Sequence, residues 1–365
     1  MKRLLVNRND FSETALVESD MAALADGHIR VSVGPFALTA NNITYMVTGD
    51  QIGYWQYFEP KAYDLMPEGD EGKNWGCMPV WGYGQVSQSK CSGVEVGTKI
   101  YGFLPVTDAI DMLPVKLSPS GFIDGAAHRK EGHPVYNTYS LTAADPSFGA
   151  NEDLQPVLRP LFTTSFLIDD FLDREEFFGA EQILMLSASS KTALGTAYCL
   201  SARGDRKVTG LTSSGNVDFV KGTGFYGDVY SYDNIADMDA SVKTAIVDMA
   251  GNGEVTTALY EHFGENIVYN CMVGKSHWEG KPPKRPTAGA PPVMFFAPDQ
   301  AKQRFADWGA EGFAKKLGAR WMPFCASAAD WMNLSHEKGH APFMTAYDDF
   351  LAGRAKPADG KLFSL

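Results

Sequence analysis

Small hydroxylated residues cluster directly after the apolar run QILMLSAS, which begins at Gln182. They read Ser187-Ala188-Ser189-Ser190-Lys191-Thr192-Ala193. A turn between a buried strand and a helix is where backbone amides can meet a phosphate, because the first amides of a helix have no partner inside it. The glycines of a GxGxxG turn are missing. Small residues nevertheless recur every third position at Ser187, Ser190 and Ala193, which lets a pyrophosphate approach the backbone, with serine hydroxyls and Lys191 as added donors. A P-loop would need glycines at Met185 and Ser190 and has neither. An ordinary serine-capped helix start is the alternative reading of the same turn.

The next strand, KVTGLTS, ends in Gly210-Leu211-Thr212-Ser213-Ser214. A site that prefers NADH usually carries Asp or Glu there to hold the ribose hydroxyls. No acid is present. The hydroxyls, with Lys191, Arg203, Lys207 and Lys221 nearby in sequence, favour a 2′-phosphate and hence NADPH, although each basic residue alone also reads as a solvated terminus.

Metal chemistry is not indicated. The five cysteines (Cys77, Cys91, Cys199, Cys271, Cys325) are far apart with no CxxC pair, and no HExxH occurs among the seven histidines. His336 and His340 are the nearest thing to a ligand pair, and Gly339 with Pro342 places them at a helix end. Thirty-two Lys and Arg face 44 Asp and Glu, a formal charge of -12, which repels phosphate backbones and argues against nucleic acid as a partner. No apolar run reaches membrane-spanning length and the first residues do not read as a signal peptide, so the expected setting is the cytoplasm.

These residues have to be placed by two kinds of element. Residues 1–152 hold short alternating segments broken by Gly and Pro, such as HIRVSVGPFALT, PVWGYGQVSQS and VGTKIYGFLPV, the pattern of a β-rich domain. Over 153–330 strands alternate with helices: QILMLSAS, KVTGLTS, DVYSY, TAIVDMAG and ENIVYNCMVG are strand candidates, and LQPVLRPLFTTSFLIDDFL shows helical spacing after its two prolines. That alternation predicts an α/β fold with a doubly wound parallel sheet. PVMFFAP follows a Pro-rich loop, and its apolar centre, residues 293 to 296, predicts an edge strand.

In this order the chain resembles the medium-chain dehydrogenase/reductase superfamily, in particular its zinc-independent, quinone-reductase-like branch, and within it the divergent DUF2855 group. VEVGTKIYGF, GYGQV, NVDFVKGTGFYGDVYSY and the closing GRAKPADGKLFSL carry the resemblance. It implies a GroES-like β domain, to which residues 331–365 return, and a Rossmann NADP-binding domain, with the active site in the cleft between them. Where zinc-dependent relatives have a cysteine and a glutamate, this chain has Asn41 and Trp81, so the implied catalysis is metal-free. The resemblance places Asn41, Thr44 and Tyr45 in the substrate pocket, and the following Tyr54, Trp55, Tyr57 and Phe58 could add a phenol donor and apolar walls or simply pack the core. It also assigns cofactor contacts to Thr164 and Ser165, which with Thr163 open a helix, and to Met272, Val273 and Gly274 after the fifth strand. His277 is the one histidine brought toward the cleft. In such relatives the edge strand pairs across a two-fold axis, which predicts a homodimer. The implied activity is NADPH-dependent reduction of a small apolar ketone, enone or quinone. The alternatives are an acyl-chain enoyl reductase and a catalytically silent NADPH-binding sensor or scaffold.

Overall fold

Strand Ile29–Leu38 shows why the first part of the chain forms sheet: Ile29, Val31 and Val33 point inward while Arg30 and Ser32 face outward, the two-residue period of a half-buried strand. The computed structural model describes residues 1–365 apart from 64, 68, 70–72, 146 and 275–286. It divides into two units, residues 1–157 with 334–365, and residues 158–333.

In the first unit Ile29–Leu38 lies at the middle of a nine-stranded sheet. Its antiparallel neighbours are Pro79–Ser89 on one side and the C-terminal strand Asp359–Ser364 on the other, with Lys361 opposite Leu38 and Phe363 opposite Phe36. Pro79–Ser89 in turn pairs with Lys99–Pro105, which sets Trp81 opposite Phe103. A second sheet holds Lys2–Asn7 between Asp10–Glu18 and Trp75–Gly76. A short helix, Asn41–Val47, follows Leu38. Its entry is fixed by Asn42, whose side chain accepts from the Thr39 amide at 2.7 Å and donates to the Pro79 carbonyl at 2.8 Å. One further turn, Tyr54–Phe58, follows.

The second unit is a six-stranded parallel sheet, with β1 (Gln182–Leu186), β2 (Lys207–Thr212), β3 (Asp228–Ser231), β4 (Thr244–Asp248), β5 (Ile267–Met272) and β6 (Pro292–Met294). The spatial order β3-β2-β1-β4-β5-β6 is that of a Rossmann sheet. Every residue of β1 and β4 is buried, as expected for strands covered on both faces. The longer helices are α1 (Leu154–Arg174), whose first turn belongs to the first unit, α2 (Lys191–Arg203), α3 (Gly253–Phe263) and α4 (Ala297–Ala328), the last broken at Gly309.

Two expectations change here. Thr163, Thr164 and Ser165 lie in the middle of α1, which starts at Leu154 and continues through Pro160. Pro156 fits the first turn, where an amide would lack a partner anyway. The edge strand is shorter than 293 to 296. It stops at Met294, Phe295 turns inward against Phe171 with ring centroids 5.6 Å apart, and Phe296 caps α4.

Candidate functional site

At the end of β1 the chain turns sharply. Ser187 takes a left-handed conformation, φ 51°, which a side chain disfavours and which glycine-rich turns satisfy with glycine. The Ser190 amide donates to the Ser187 carbonyl at 2.8 Å, and the Ser190 hydroxyl caps α2 by accepting from the Ala193 amide at 3.3 Å. Lys191 and Thr192 therefore form the first turn of a 13-residue helix whose N-terminus favours an anion. Ser187→Gly should raise stability by about 0.5–1 kcal/mol, since strain is relieved while the 3.3 Å hydroxyl contact to Tyr232 is lost. Urea unfolding measures this, and a loss of stability would contradict it.

The close approach that the turn lacks glycines for is made elsewhere. A Cβ on Gly195 of α2 would lie 2.7 Å from Ser165 Oγ, and one on Gly210 of β2 would lie 3.1 Å from Ala188 Cβ. Ser165 is fully buried, its hydroxyl within 2.8 Å of the Thr192 carbonyl and 3.0 Å of the Leu161 carbonyl, so it ties α1 to α2. Thr164 is half-buried and donates back to Pro160 at 3.3 Å. Gly195 and Gly210 were missed because a motif reading looks only inside the turn.

Hydroxyls gather where β1 to β3 end. Ser189 Oγ accepts from Thr212 Oγ1 at 3.3 Å and from Asn216 Nδ2 at 3.2 Å, and Ser187 shares a hydrogen bond with Tyr232 at 3.3 Å. Ser213 and Ser214 are exposed. Ser214 lines a cavity of about 420 Å³ with Lys221, Ser231, Asn234, Asp218 and Asp237. Arg203 and Lys207 do not join this group. Arg203 ends α2 and pairs with Asp169 and Asp173 at 2.9 Å, and Lys207 starts β2 beside Asp228, a strand length from Thr212.

At the end of β4, next to β1, Asp248 accepts from the Ala250 and Gly251 amides, both at 2.9 Å, and turns the chain away from the sheet. The two connections diverge there, which in such sheets opens the ligand crevice. Val273 donates to the Asp248 carbonyl at 2.8 Å, and the Met272 carbonyl accepts from Phe295 at 2.8 Å. Gly274 is half-buried beside them, and His277 lies outside the described residues.

In the first unit Tyr45, Tyr54 and Tyr57 come together around Phe103, with ring centroids at 5.3, 6.4 and 5.7 Å from it. Tyr136, absent from the sequence reading, completes the group at 4.8 Å from Phe103, and its hydroxyl lies 3.0 Å from that of Tyr54. Tyr45 Oη accepts from Trp81 Nε1 at 3.0 Å. Burial pushes the Tyr45 phenol well up, with neighbouring Tyr54 adding to it, while Trp81 and Asn41 act the other way. Burial also raises Tyr54, and Tyr57 is pushed up to about 12. These phenols are therefore neutral proton donors at ordinary pH.

Asn41, Thr44 and Trp81 are half-exposed, and Trp81 adjoins the group, its ring centroid 5.3 Å from that of Phe103. Trp55 and Phe58 are not part of that face. Trp55 is wedged where a Cβ on Gly49 or Gly76 would lie 2.1 or 2.6 Å from its ring, and Phe58 is fully buried under the Arg129 guanidinium, 4.4 Å from its centroid. Among the described residues no three His, Cys, Asp or Glu side chains gather in a way that could hold a metal ion. The helix now seen to begin at His340 leaves His336 on the preceding strand, 3.0 Å from Asp153.

A family model, "Protein of unknown function (DUF2855)", matches residues 36–356. The chain belongs to the DUF2855 family. No curated protein matches it. This DUF2855 chain shares its fold with solved structures at low identity. CurA from Vibrio vulnificus, crystallised with NADPH, is 13% identical with a TM-score of 0.57, over 100% of this chain and 99% of that one. The Escherichia coli quinone oxidoreductase complexed with NADPH is 11% identical with a TM-score of 0.55, over 100% of both chains. The CurK enoyl reductase is 11% identical with a TM-score of 0.51, over 100% of this chain and 98% of that one. No helix among the described residues is long and apolar enough to cross a membrane.

Proposed function

We propose that this DUF2855 protein is an NADPH-dependent, metal-free reductase of a small apolar ketone, enone or quinone. The observation that carries the reading is the β1–α2 turn, with Ser187 in the left-handed conformation at the point where the β1 and β4 connections diverge. That geometry fits a dinucleotide: the amides at the start of α2 and the hydroxyls of Ser189 and Ser190 would hold the pyrophosphate. Ser214 and Lys221 would take the 2′-phosphate. Bound NADPH supplies a hydride to an electrophilic carbon. CurA and the quinone oxidoreductase, crystallised with NADPH, support this choice.

The chain's own part is to manage charge on the substrate oxygen. In a ketone, an enone or a quinone, hydride addition at carbon pushes an electron pair onto the oxygen. The Tyr45 hydroxyl donates a hydrogen bond to that oxygen and then its proton, leaving a phenolate that Trp81 hydrogen-bonds and that water reprotonates. Asn41 and Trp81 offer no thiolate, imidazole or carboxylate to zinc, so the phenol takes the place of a Lewis acid. A screen of quinones, enones and ketones for NADPH oxidation, with and without chelator, tests the reading. Turnover insensitive to chelator is expected. Failure of every substrate, or loss of rate with chelator, would overturn it and favour a silent NADPH-binding role or a metal enzyme respectively. A cytoplasmic setting belongs to the same proposal, in keeping with five free cysteines.

The proposal includes a homodimer formed through β6. Val293 and Met294 are 45% and 50% exposed on this edge strand, whose other side pairs with β5. Phe295, only 6% exposed, belongs to the interior, so the informative substitution is Met294→Lys. Light scattering should find a dimeric wild type and a weakened variant; a monomeric wild type contradicts the proposal.

A further inference from the structure

We propose that Trp81 is the positioning residue of this reaction, fixing the direction in which Tyr45 offers its hydroxyl proton; this rests on the reductase reading above. An indole nitrogen can only donate. Its 3.0 Å bond therefore makes the Tyr45 oxygen the acceptor and leaves the phenol's own proton to point elsewhere. The buried directions are closed by rings, with Tyr54 at 4.7 Å, Phe103 at 5.3 Å and Tyr136 at 6.4 Å from the Tyr45 centroid. The Tyr54 and Tyr136 hydroxyls are engaged with each other at 3.0 Å. What remains is the side of the hydroxyl that faces the half-exposed Trp81.

Trp81 is well placed to impose this. Strand pairing sets it opposite Phe103 and Ala37, and its ring stacks on Tyr101 with centroids 5.8 Å apart at 26°. The N–H is thus aimed by the sheet register before any substrate arrives. Once the proton has left, the same N–H faces the phenolate and stabilises it without reorganising.

Two measurements on the full-length chain test this. In protein labelled with ¹⁵N-tryptophan, Trp81 is identified among seven indole signals by its loss in Trp81→Phe. Tyr45→Phe should move that signal upfield and leave the others in place; an unmoved signal overturns the proposal. With a substrate found in the screen, Trp81→Phe, which keeps an aromatic ring on Tyr101, should lower kcat about tenfold while KM stays within about twofold. In the Tyr45→Phe background the same change should have no further effect on kcat. A loss confined to KM, or an equal loss in both backgrounds, would mean that Trp81 only shapes the pocket and would overturn the proposal. A wild type inert toward every carbonyl compound overturns the functional reading instead, whatever the indole signal does.

Discussion

Tyr45→Phe is expected to cut kcat by about a hundredfold to a thousandfold, the usual contribution of a well-placed general acid. The ring is kept, so the contacts to Tyr54 and Phe103 survive and only the hydroxyl is lost. Trp81 Nε1 then loses its phenol acceptor on a side chain that is only half-buried, so the stability cost should be about 1 kcal/mol. Burial raises the Tyr45 phenol above its ordinary value, so the proton is present throughout the neutral and mildly alkaline range. The wild-type rate should accordingly show no loss from phenol deprotonation below about pH 10. Steady-state kinetics of wild type and variant with one substrate checks both points. A loss under about threefold would remove Tyr45 from the chemistry.

The largest effect on stability should come from Asp124→Ala. Asp124 and Arg129 are both buried, with Oδ2 and Nη1 2.8 Å apart and neither side chain exposed. The carboxylate also accepts from the Ala126 amide at 3.0 Å and the Leu113 amide at 3.2 Å. Arg129 in turn donates to the Tyr57 carbonyl and to Tyr139 Oη, both at 2.8 Å, and its carbonyl accepts from Asn137 at 2.9 Å. Removing the carboxylate leaves a buried guanidinium without its counter-charge, which costs about 3–5 kcal/mol. That is a large part of the roughly 5–15 kcal/mol that holds a domain folded. Because Arg129 anchors the backbone at Tyr57 and next to Tyr136, the phenol group should loosen with it. Asp111→Ala, which breaks the partly exposed pair with Arg30, serves as control and should cost about 1 kcal/mol or less. Urea unfolding of the two variants distinguishes them; equal, small losses would contradict the assignment.

The parallel sheet was legible because its strands are buried on both faces: Ile183 to Leu186 and Ala245 to Val247 are unbroken apolar runs in which nearly any reading finds a strand. The start of α1 was not legible. Pro156 and Pro160 read as stops, yet the first falls in the opening turn, and the second costs one hydrogen bond in a helix held by Leu158, Phe162 and Ile168 in the core. PVMFF reads equally well as a long edge strand or as a short strand followed by a helix cap, and only the contact of Phe295 with Phe171 decides. Nearness in sequence misled for Arg203 and Lys207, since one helix or one strand length carries a side chain to the opposite end of the strands. In the aromatic segment, composition could not separate the wedged Trp55 from Tyr45, whose hydroxyl meets the half-exposed Trp81. Asp248 and Tyr136 were invisible for a related reason: each acts through a partner distant in sequence.

Thermal unfolding with added NADPH or NADH tests the central claim most directly. NADPH at a hundred times its dissociation constant should stabilise the protein by about 2.7 kcal/mol, and NADH at the same concentration by less. Lys221 shares its cavity wall with Asp218 and Asp237, so the preference depends on its charge, and Lys221→Ala should narrow the gap between the two cofactors. Equal stabilisation of the wild type by both would remove the assignment of a 2′-phosphate site, and no stabilisation by either would contradict the account of the β1–α2 turn as a dinucleotide site.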